Sequence, residues 1–318
     1  MTEIGRRRLG AGGPEVSEVA LGSWRTFERI PREQGVEVLR RARELGISFL
    51  DDARYDDETG QAPIPSGYSE VLFGELFRAA GYRREETVVS EKLWWEFWPQ
   101  QSAAQELDGS LTRLNFDDVD LIYAVALPPS LDVQTAVAEV AGLLRAGKAR
   151  HWGVAMWEAA EIEAACAAAD AESIARPCAA QMAYSIAERA TAGSEEMLAT
   201  LRDCGVGLVA SAPLAGGLLT GKYGGEEAGG GRHAADLASP ELADALRAGA
   251  ALRELAAEWD TSAAALAIAF VLEHPSLSAA LLGTSSPTQL EQAAAGCALR
   301  ARLSDEQRAR LGDLQWRS

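Results

Sequence analysis

Two short segments end in side chains that can accept or donate a proton. In Ile47-Ser-Phe-Leu-Asp-Asp-Ala-Arg-Tyr55, the apolar pair Phe49 and Leu50 runs directly into Asp51, Asp52, Arg54 and Tyr55. In Val88-Val-Ser-Glu-Lys-Leu93, an otherwise apolar stretch ends at Lys92. Consecutive apolar residues suit a short strand buried on both faces. Polar groups at the C-terminal ends of such strands are where a parallel barrel places its chemistry. By residue type alone, Asp56, Asp57 and Glu58 read as a solvated acidic loop and Lys92 as a surface lysine.

The elements that must hold these residues alternate along the chain. Strands are expected at Val16 to Leu21, Phe49 to Leu50, Thr87 to Leu93, Val119 to Ala126, His151 to Trp157, Cys178 to Met182, Gly207 to Ser211 and Ala279 to Leu282. Helices are expected at Arg32 to Leu45 (stopped by Gly46), Ser69 to Ala80, Ala103 to Leu114, Val133 to Leu144, Ala159 to Ala169, up to Leu201, and Ser286 to Ala294. Repeated strand-then-helix units describe an α/β fold, a (β/α)8 TIM barrel, in one domain spanning residues 1–318. A doubly wound sheet is the alternative, but no G-x-G-x-x-G follows the first strand. Gly221 to Pro240, rich in glycine, reads as a flexible loop, either one at the catalytic face that closes over a ligand or a disordered surface excursion.

Composition narrows the function classes. The 318 residues are 47% hydrophobic, with no apolar run long enough to span a bilayer and no apolar segment after the N-terminal Met-Thr-Glu-Ile-Gly-Arg-Arg-Arg. A cytoplasmic protein is expected. The net charge of −17 repels nucleic acid and anionic membranes, so neither is an expected partner. Cys166, Cys178, Cys204 and Cys297 lie far apart in sequence, with no metal-ligand spacing, and read as reduced thiols. No oligomeric state is indicated.

Order and motifs together resemble the aldo-keto reductases over nearly the whole chain. Leu9-Gly10 through Val16-Ser17 and Leu21-Gly22-Ser23-Trp24 resemble that family's N-terminal β-hairpin and first barrel strand. Phe49-Leu50-Asp51-Asp52-Ala53, Ser69-Glu70 with Gly74, and Lys148 to Val154 follow in family order. So do Pro213-Leu214-Ala215-Gly216-Gly217-Leu218, Gly221-Lys222-Tyr223, and Gly283-Thr284-Ser285 leading to Gln289-Leu290.

The resemblance implies hydride transfer between NADP(H), preferred over NAD(H), and a small-molecule carbonyl. It carries the catalytic aspartate onto Asp51 and the lysine onto Lys92. Tyr55 is the expected proton donor, made more acidic by the lysine. It stands one residue closer to Asp51 than the family's tyrosine does, and Tyr68 is the alternative. The family's histidine falls on Val125, and Tyr123 on the same strand face is a candidate substitute hydroxyl.

Cofactor contacts are expected from Gly22, Ser23, Trp24, Gln181, Ser211, Pro213, Leu214, Gly216, Lys222, Arg232, Gly283, Ser285, Gln289 and Gln292. Three replacements fall at the nicotinamide end: Ala155 and Met156 stand where the family carries Ser-Asn, and Ser211 where an aromatic residue stacks. Ser286-Pro-Thr-Gln289 also reads as a capping box, which would occupy Gln289. Trp94, Trp95, Phe97 and Trp98 follow the strand carrying Lys92 and are expected to form an aromatic substrate wall. Three functions fit this combination: an NADP(H)-dependent oxidoreductase, a non-redox lyase, isomerase or dehydratase using the same proton-transfer groups, and a non-catalytic nucleotide-binding regulatory subunit.

Overall fold

The computed structural model describes residues 4–224 and 237–314. An antiparallel hairpin, β1 (Arg6–Arg8) and β2 (Glu15–Ser17), precedes β3 (Val19–Gly22). The chain then alternates α1 (Arg32–Glu44), β4 (Phe49–Asp51), α2 (Tyr68–Ala79), β5 (Val88–Leu93), α3 (Ala103–Leu114) and β6 (Val119–Val125). It continues with α4 (Val133–Arg145), β7 (Ala149–Ala155), α5 (Ala159–Glu172), β8 (Ala179–Ala183), α6 (Glu195–Cys204) and β9 (Gly207–Ser211). After β9 come α7 (Ala243–Glu258), α8 (Ala263–Leu272), β10 (Leu277–Leu282), α9 (Pro287–Arg302) and α10 (Asp305–Gly312). Strands β3 to β10 close in sequence order, with β10 pairing β3, into a parallel barrel.

Two apolar cores hold this arrangement. One fills the barrel: Leu9, Val16, Ala20, Phe49, Leu121, Tyr123, Val125 and Val209 meet on the inward faces. The hairpin supplies Leu9 and Val16, both fully buried. It closes the end of the barrel opposite the strand C-termini, where the Ser278 hydroxyl donates to the Arg8 carbonyl at 2.8 Å. The second core packs the outward strand residues, Leu50, Val89, Leu93 and Val154 among them, against the helices. Alternation along each strand sends one set inward and the other outward.

Among the described residues, the region between β9 and β10 holds two α-helices, α7 and α8, that the sequence reading did not anticipate. Every residue of α8 is buried, so this helix is apolar all round and shows no amphipathic period to read. The first expected strand also proves to be two: Glu15–Ser17 belongs to the hairpin and Val19–Gly22 to the barrel. The loop expected over 221–240 lies largely outside the described residues. Among the described residues, no single helix is long and apolar enough to cross a membrane.

Close helix approach at α2 and α3 depends on Gly74. A Cβ built there would sit 2.2 Å from the Leu114 carbonyl oxygen. Gly74→Ala is therefore expected to destabilise the fold by about 1–3 kcal/mol through overpacking. Urea unfolding would read this as a lower midpoint at unchanged slope.

Candidate active site

The C-terminal ends of β4 and β5 bring the proton-exchanging residues together. The Lys92 Nζ lies 2.6 Å from the Asp51 Oδ2 and 3.3 Å from the Tyr55 hydroxyl, and also donates to the Asp52 carbonyl at 3.3 Å. Parallel register sets Asp51 opposite Ser90, and the Ser90 hydroxyl donates to Asp51 Oδ1 at 2.7 Å. Across the barrel, the Gln181 amide donates to the same oxygen at 3.1 Å. Asp51 is thus a buried carboxylate with three donors. Such satisfaction is what allows a charge to remain out of water.

Burial pushes the Lys92 ammonium toward losing its proton, but the adjoining Asp51 and Tyr55 outweigh it and its pKa is raised. Tyr55 also moves upward, because burial dominates and the lowering effect of Lys92 only partly offsets it. Lys92 thus acts in the direction expected from the sequence, toward a more acidic tyrosine, but burial, which the sequence does not show, sets the net shift upward. Both groups hold their protons at neutral pH, which suits Tyr55 to donating one. Tyr68, the alternative, opens α2 and packs half-buried against the outer core.

Above this trio lies a cavity of about 900 Å³. Its wall includes Gly22, Trp24, Arg25, Asp51, Tyr55, Lys92, Trp94, Val125, Ala155, Met156, Gln181 and Ser211 at the barrel end. Farther along it includes Pro213, Leu214, Gly216, Lys222, Gly283, Ser285, Gln289 and Gln292. Arg232 lies outside the described residues. Gly216 and Gly217 adopt positive φ, and Lys222 lies across Gly217 so closely that a Cβ there would meet its Nζ at 2.8 Å. Four non-glycine residues just past barrel strands, Arg25, Trp95, Met156 and Ala212, also have φ between 52° and 61°. Strained backbone of this kind gathers where a ligand or reaction requires a particular shape.

Several expected site residues lie elsewhere. Trp95 is buried among outer-core side chains, and Trp98 meets it edge-on with ring centroids 6.2 Å apart. Neither lines the cavity, because the backbone twists at Trp95 and carries both rings back over the helices. Trp94 alone of the aromatic run faces the cavity; its ring meets Tyr55 edge-on at 5.9 Å, and Trp24 stands 6.5 Å from Tyr55 on the other side. Tyr123 is fully buried beneath the site, filling the barrel against Gly153, and does not line the cavity. The Ser23 hydroxyl turns outward and donates to Asp52. Ser286 does cap α9 by accepting from the Gln289 amide, but the Gln289 side chain is not drawn back into a capping box. Its Oε1 accepts from Thr284 and Ser285 at 3.2 and 3.3 Å, at the cavity edge.

Residue types alone did not single out other contributors. Ser90 shares the inward face with Lys92, a period-two signal that could have been read. Glu106 on α3 accepts from the backbone amides of Trp94 and Trp95 at 2.8 and 3.3 Å, and so fixes the aromatic wall. The acidic segment after Tyr55 is organised rather than simply solvated. The Asp57 carboxylate accepts from Thr59 and from the Ala62 amide, which lowers its pKa to about 2. Glu58 pairs with Arg25 at 2.6 Å and Arg29 at 2.8 Å. Cys166 and Cys204, far apart in sequence, interact thiol to thiol between α5 and α6. Among the described residues, no group of three or more His, Cys, Asp or Glu is arranged to hold a metal ion.

The model of the Aldo/keto reductase family matches residues 18–315. The chain belongs to that family. The match spans the entire barrel and every residue of the Asp51, Tyr55 and Lys92 cluster. Similar curated proteins include a "Probable voltage-gated potassium channel subunit beta" of Oryza sativa subsp. japonica, 30% identical over 298 residues, covering 89% of this chain and 88% of the relative. A protein of the same printed name from Arabidopsis thaliana is 29% identical over 300 residues, covering 90% and 89%. A "Putative voltage-gated potassium channel subunit beta" of Schizosaccharomyces pombe is 29% identical over 302 residues, covering 89% and 85%. Family membership makes this an oxidoreductase-type scaffold, one that generally binds NADP(H).

Proposed function

We propose that the protein is an NADP(H)-dependent oxidoreductase acting on a carbonyl or related small molecule, with Tyr55 as proton donor and acceptor. The observation that carries this reading is the placement of the Lys92 Nζ between the Asp51 carboxylate and the Tyr55 hydroxyl at the base of the cavity. A carbonyl oxygen that receives hydride on its carbon gains negative charge and needs a proton beside it. Tyr55 supplies that proton, Lys92 stabilises the phenolate left behind, and Asp51 holds Lys92 in place. Trp24 and Trp94 flank Tyr55.

The residues present fit an anionic dinucleotide best at one end. Lys222, Ser285, Gln289 and Gln292 would hold its phosphates and adenosine, beside the N-terminus of α9. When bound, NADPH supplies the hydride. At the opposite end Val125, Ala155 and Met156 offer no side-chain hydrogen bonds, and Gln181 already donates to Asp51. That contrast supports the second reading, in which Tyr55 and Lys92 move a proton in a lyase, isomerase or dehydratase reaction without net hydride exchange.

The printed names of the relatives associate them with a channel. For this chain the reading centred on a small-molecule substrate is preferred, in the cytoplasm, because the Asp51, Tyr55 and Lys92 trio is assembled and, of the acid/base group, only the family's histidine is replaced. A nucleotide-binding subunit without catalysis is the remaining alternative.

Ser285→Ala combined with Gln289→Ala is expected to weaken NADPH binding about tenfold, the equivalent of one neutral hydrogen bond or slightly more. Calorimetry and protein fluorescence measure this directly. Failure of the wild type to bind either NADPH or NADH at millimolar concentration would remove the redox reading.

A further inference from the structure

Behind the site, on the outward face of the same two strands, lie two carboxyl groups that the acid/base trio does not use. Asp52 and Glu91 are both fully buried. The Asp52 amide donates to the Ser90 carbonyl at 3.1 Å, so Asp52 and Glu91 are neighbours across the β4 and β5 ends. Asp52 Oδ1 accepts from the Ser23 hydroxyl, and Glu91 Oε1 accepts from the Lys92 amide at 3.0 Å. The second oxygen of each, Asp52 Oδ2 and Glu91 Oε2, is buried without a hydrogen-bond partner among the described residues.

Charge counting sharpens the puzzle. The charged groups acting on the pair are Lys92 from β5 and Glu70 from the first turn of α2, besides Asp52 and Glu91 themselves. Lys92 is engaged by Asp51, and Glu70 is paired with Arg113 of α3. Among the described residues, neither Asp52 nor Glu91 forms an ion pair of its own. Two adjacent buried carboxylates cannot both ionise under these conditions, and one remedy accounts for both orphan oxygens at once.

We propose that Asp52 and Glu91 share at least one proton at neutral pH, forming an O–H···O bond between Asp52 Oδ2 and Glu91 Oε2. The pair clamps the ends of β3, β4 and β5, through Ser23, Asp52 and Glu91, and its members are positioning residues for Trp24 and Lys92. Burial, followed by repulsion from Glu70, holds both groups well above the ordinary carboxylate range.

The linkage has a definite sign. In the unfolded chain these groups ionise near pH 4, whereas the folded pair keeps its proton. The stability contribution of the pair is therefore fully present below about pH 4 and declines as pH rises toward the folded pKa. Asp52→Asn with Glu91→Gln preserves a donor and an acceptor at the pair and removes the titration.

Infrared difference spectroscopy tests the proposal. At about pH 8, the wild type is expected to show the carbonyl band of an un-ionised carboxylic acid, and the double variant Asp52→Asn with Glu91→Gln to lose it. The melting temperatures of wild type and double variant should converge near pH 4 and separate as pH rises, with the double variant higher. If a variant fails to fold, titration of the wild-type band decides alone: disappearance well above the ordinary carboxylate range supports the pair, and disappearance within it overturns the pair. A band that persists in the double variant would also overturn it.

Discussion

Lys92→Met is expected to reduce turnover by at least ~10²-fold, as for loss of an acid/base group. It should also lower stability by about 3–5 kcal/mol, because it leaves the Asp51 carboxylate buried without its cation. The side chains of both partners are nearly inaccessible, at 5% and 3% exposure, so little water is available to replace the lost ammonium. Adding Asp51→Asn should recover much of the stability and none of the turnover, since no uncompensated charge then remains. Urea unfolding and steady-state rates separate the two effects. Tyr55→Phe should lower turnover on the same ~10²-fold scale while leaving nucleotide binding and stability nearly intact. If Tyr68→Phe abolishes activity and Tyr55→Phe does not, the donor is misassigned.

The second large effect is a gain. Val125 lines the cavity and is the residue onto which the resemblance carries the family's histidine, and Tyr123, the candidate substitute, lies beneath the cavity wall. One hydrogen-bond donor aimed at a developing oxyanion is worth on the order of 3 kcal/mol, or ~10²-fold in rate. Ordinary aldehydes and ketones should therefore be poor substrates of the wild type, and Val125→His should accelerate their reduction by about that factor. Rates with a panel of aldehydes, at saturating NADPH, check this. No gain in the variant, together with wild-type conversion of a substrate at constant NADPH absorbance, would favour the lyase or isomerase reading.

The barrel was legible in the sequence because its strands are short apolar runs and most of its helices are amphipathic. Exceptions follow from the same physics. Helix α8 carries no polar face to give it a period, and the break at Glu18 separates hairpin from barrel within one apolar stretch. At the site, residue type and strand end brought Asp51 and Tyr55 to notice, whereas Lys92 read as a surface lysine until the family resemblance gave it a role. They could not reveal where the backbone turns next. The left-handed conformation at Trp95 decides that Trp94 faces the cavity while Trp95 and Trp98 do not. Nor could they reveal long-range partners such as Glu106 under the aromatic wall, or the contact between Cys166 and Cys204. The upward shift of Tyr55 likewise depends on burial, which the local sequence does not state.

Hydride transfer itself can be followed with NADPH carrying deuterium on the nicotinamide carbon that reacts. Enzyme in excess over this NADPH would be mixed with a reactive aldehyde such as 4-nitrobenzaldehyde, and the product alcohol analysed by mass spectrometry. Transfer of the label to the benzylic carbon is expected, slow in the wild type, faster in Val125→His and strongly reduced in Tyr55→Phe. Bound NADPH that delivers no label in either the wild type or Val125→His would contradict the assignment of this site to hydride transfer.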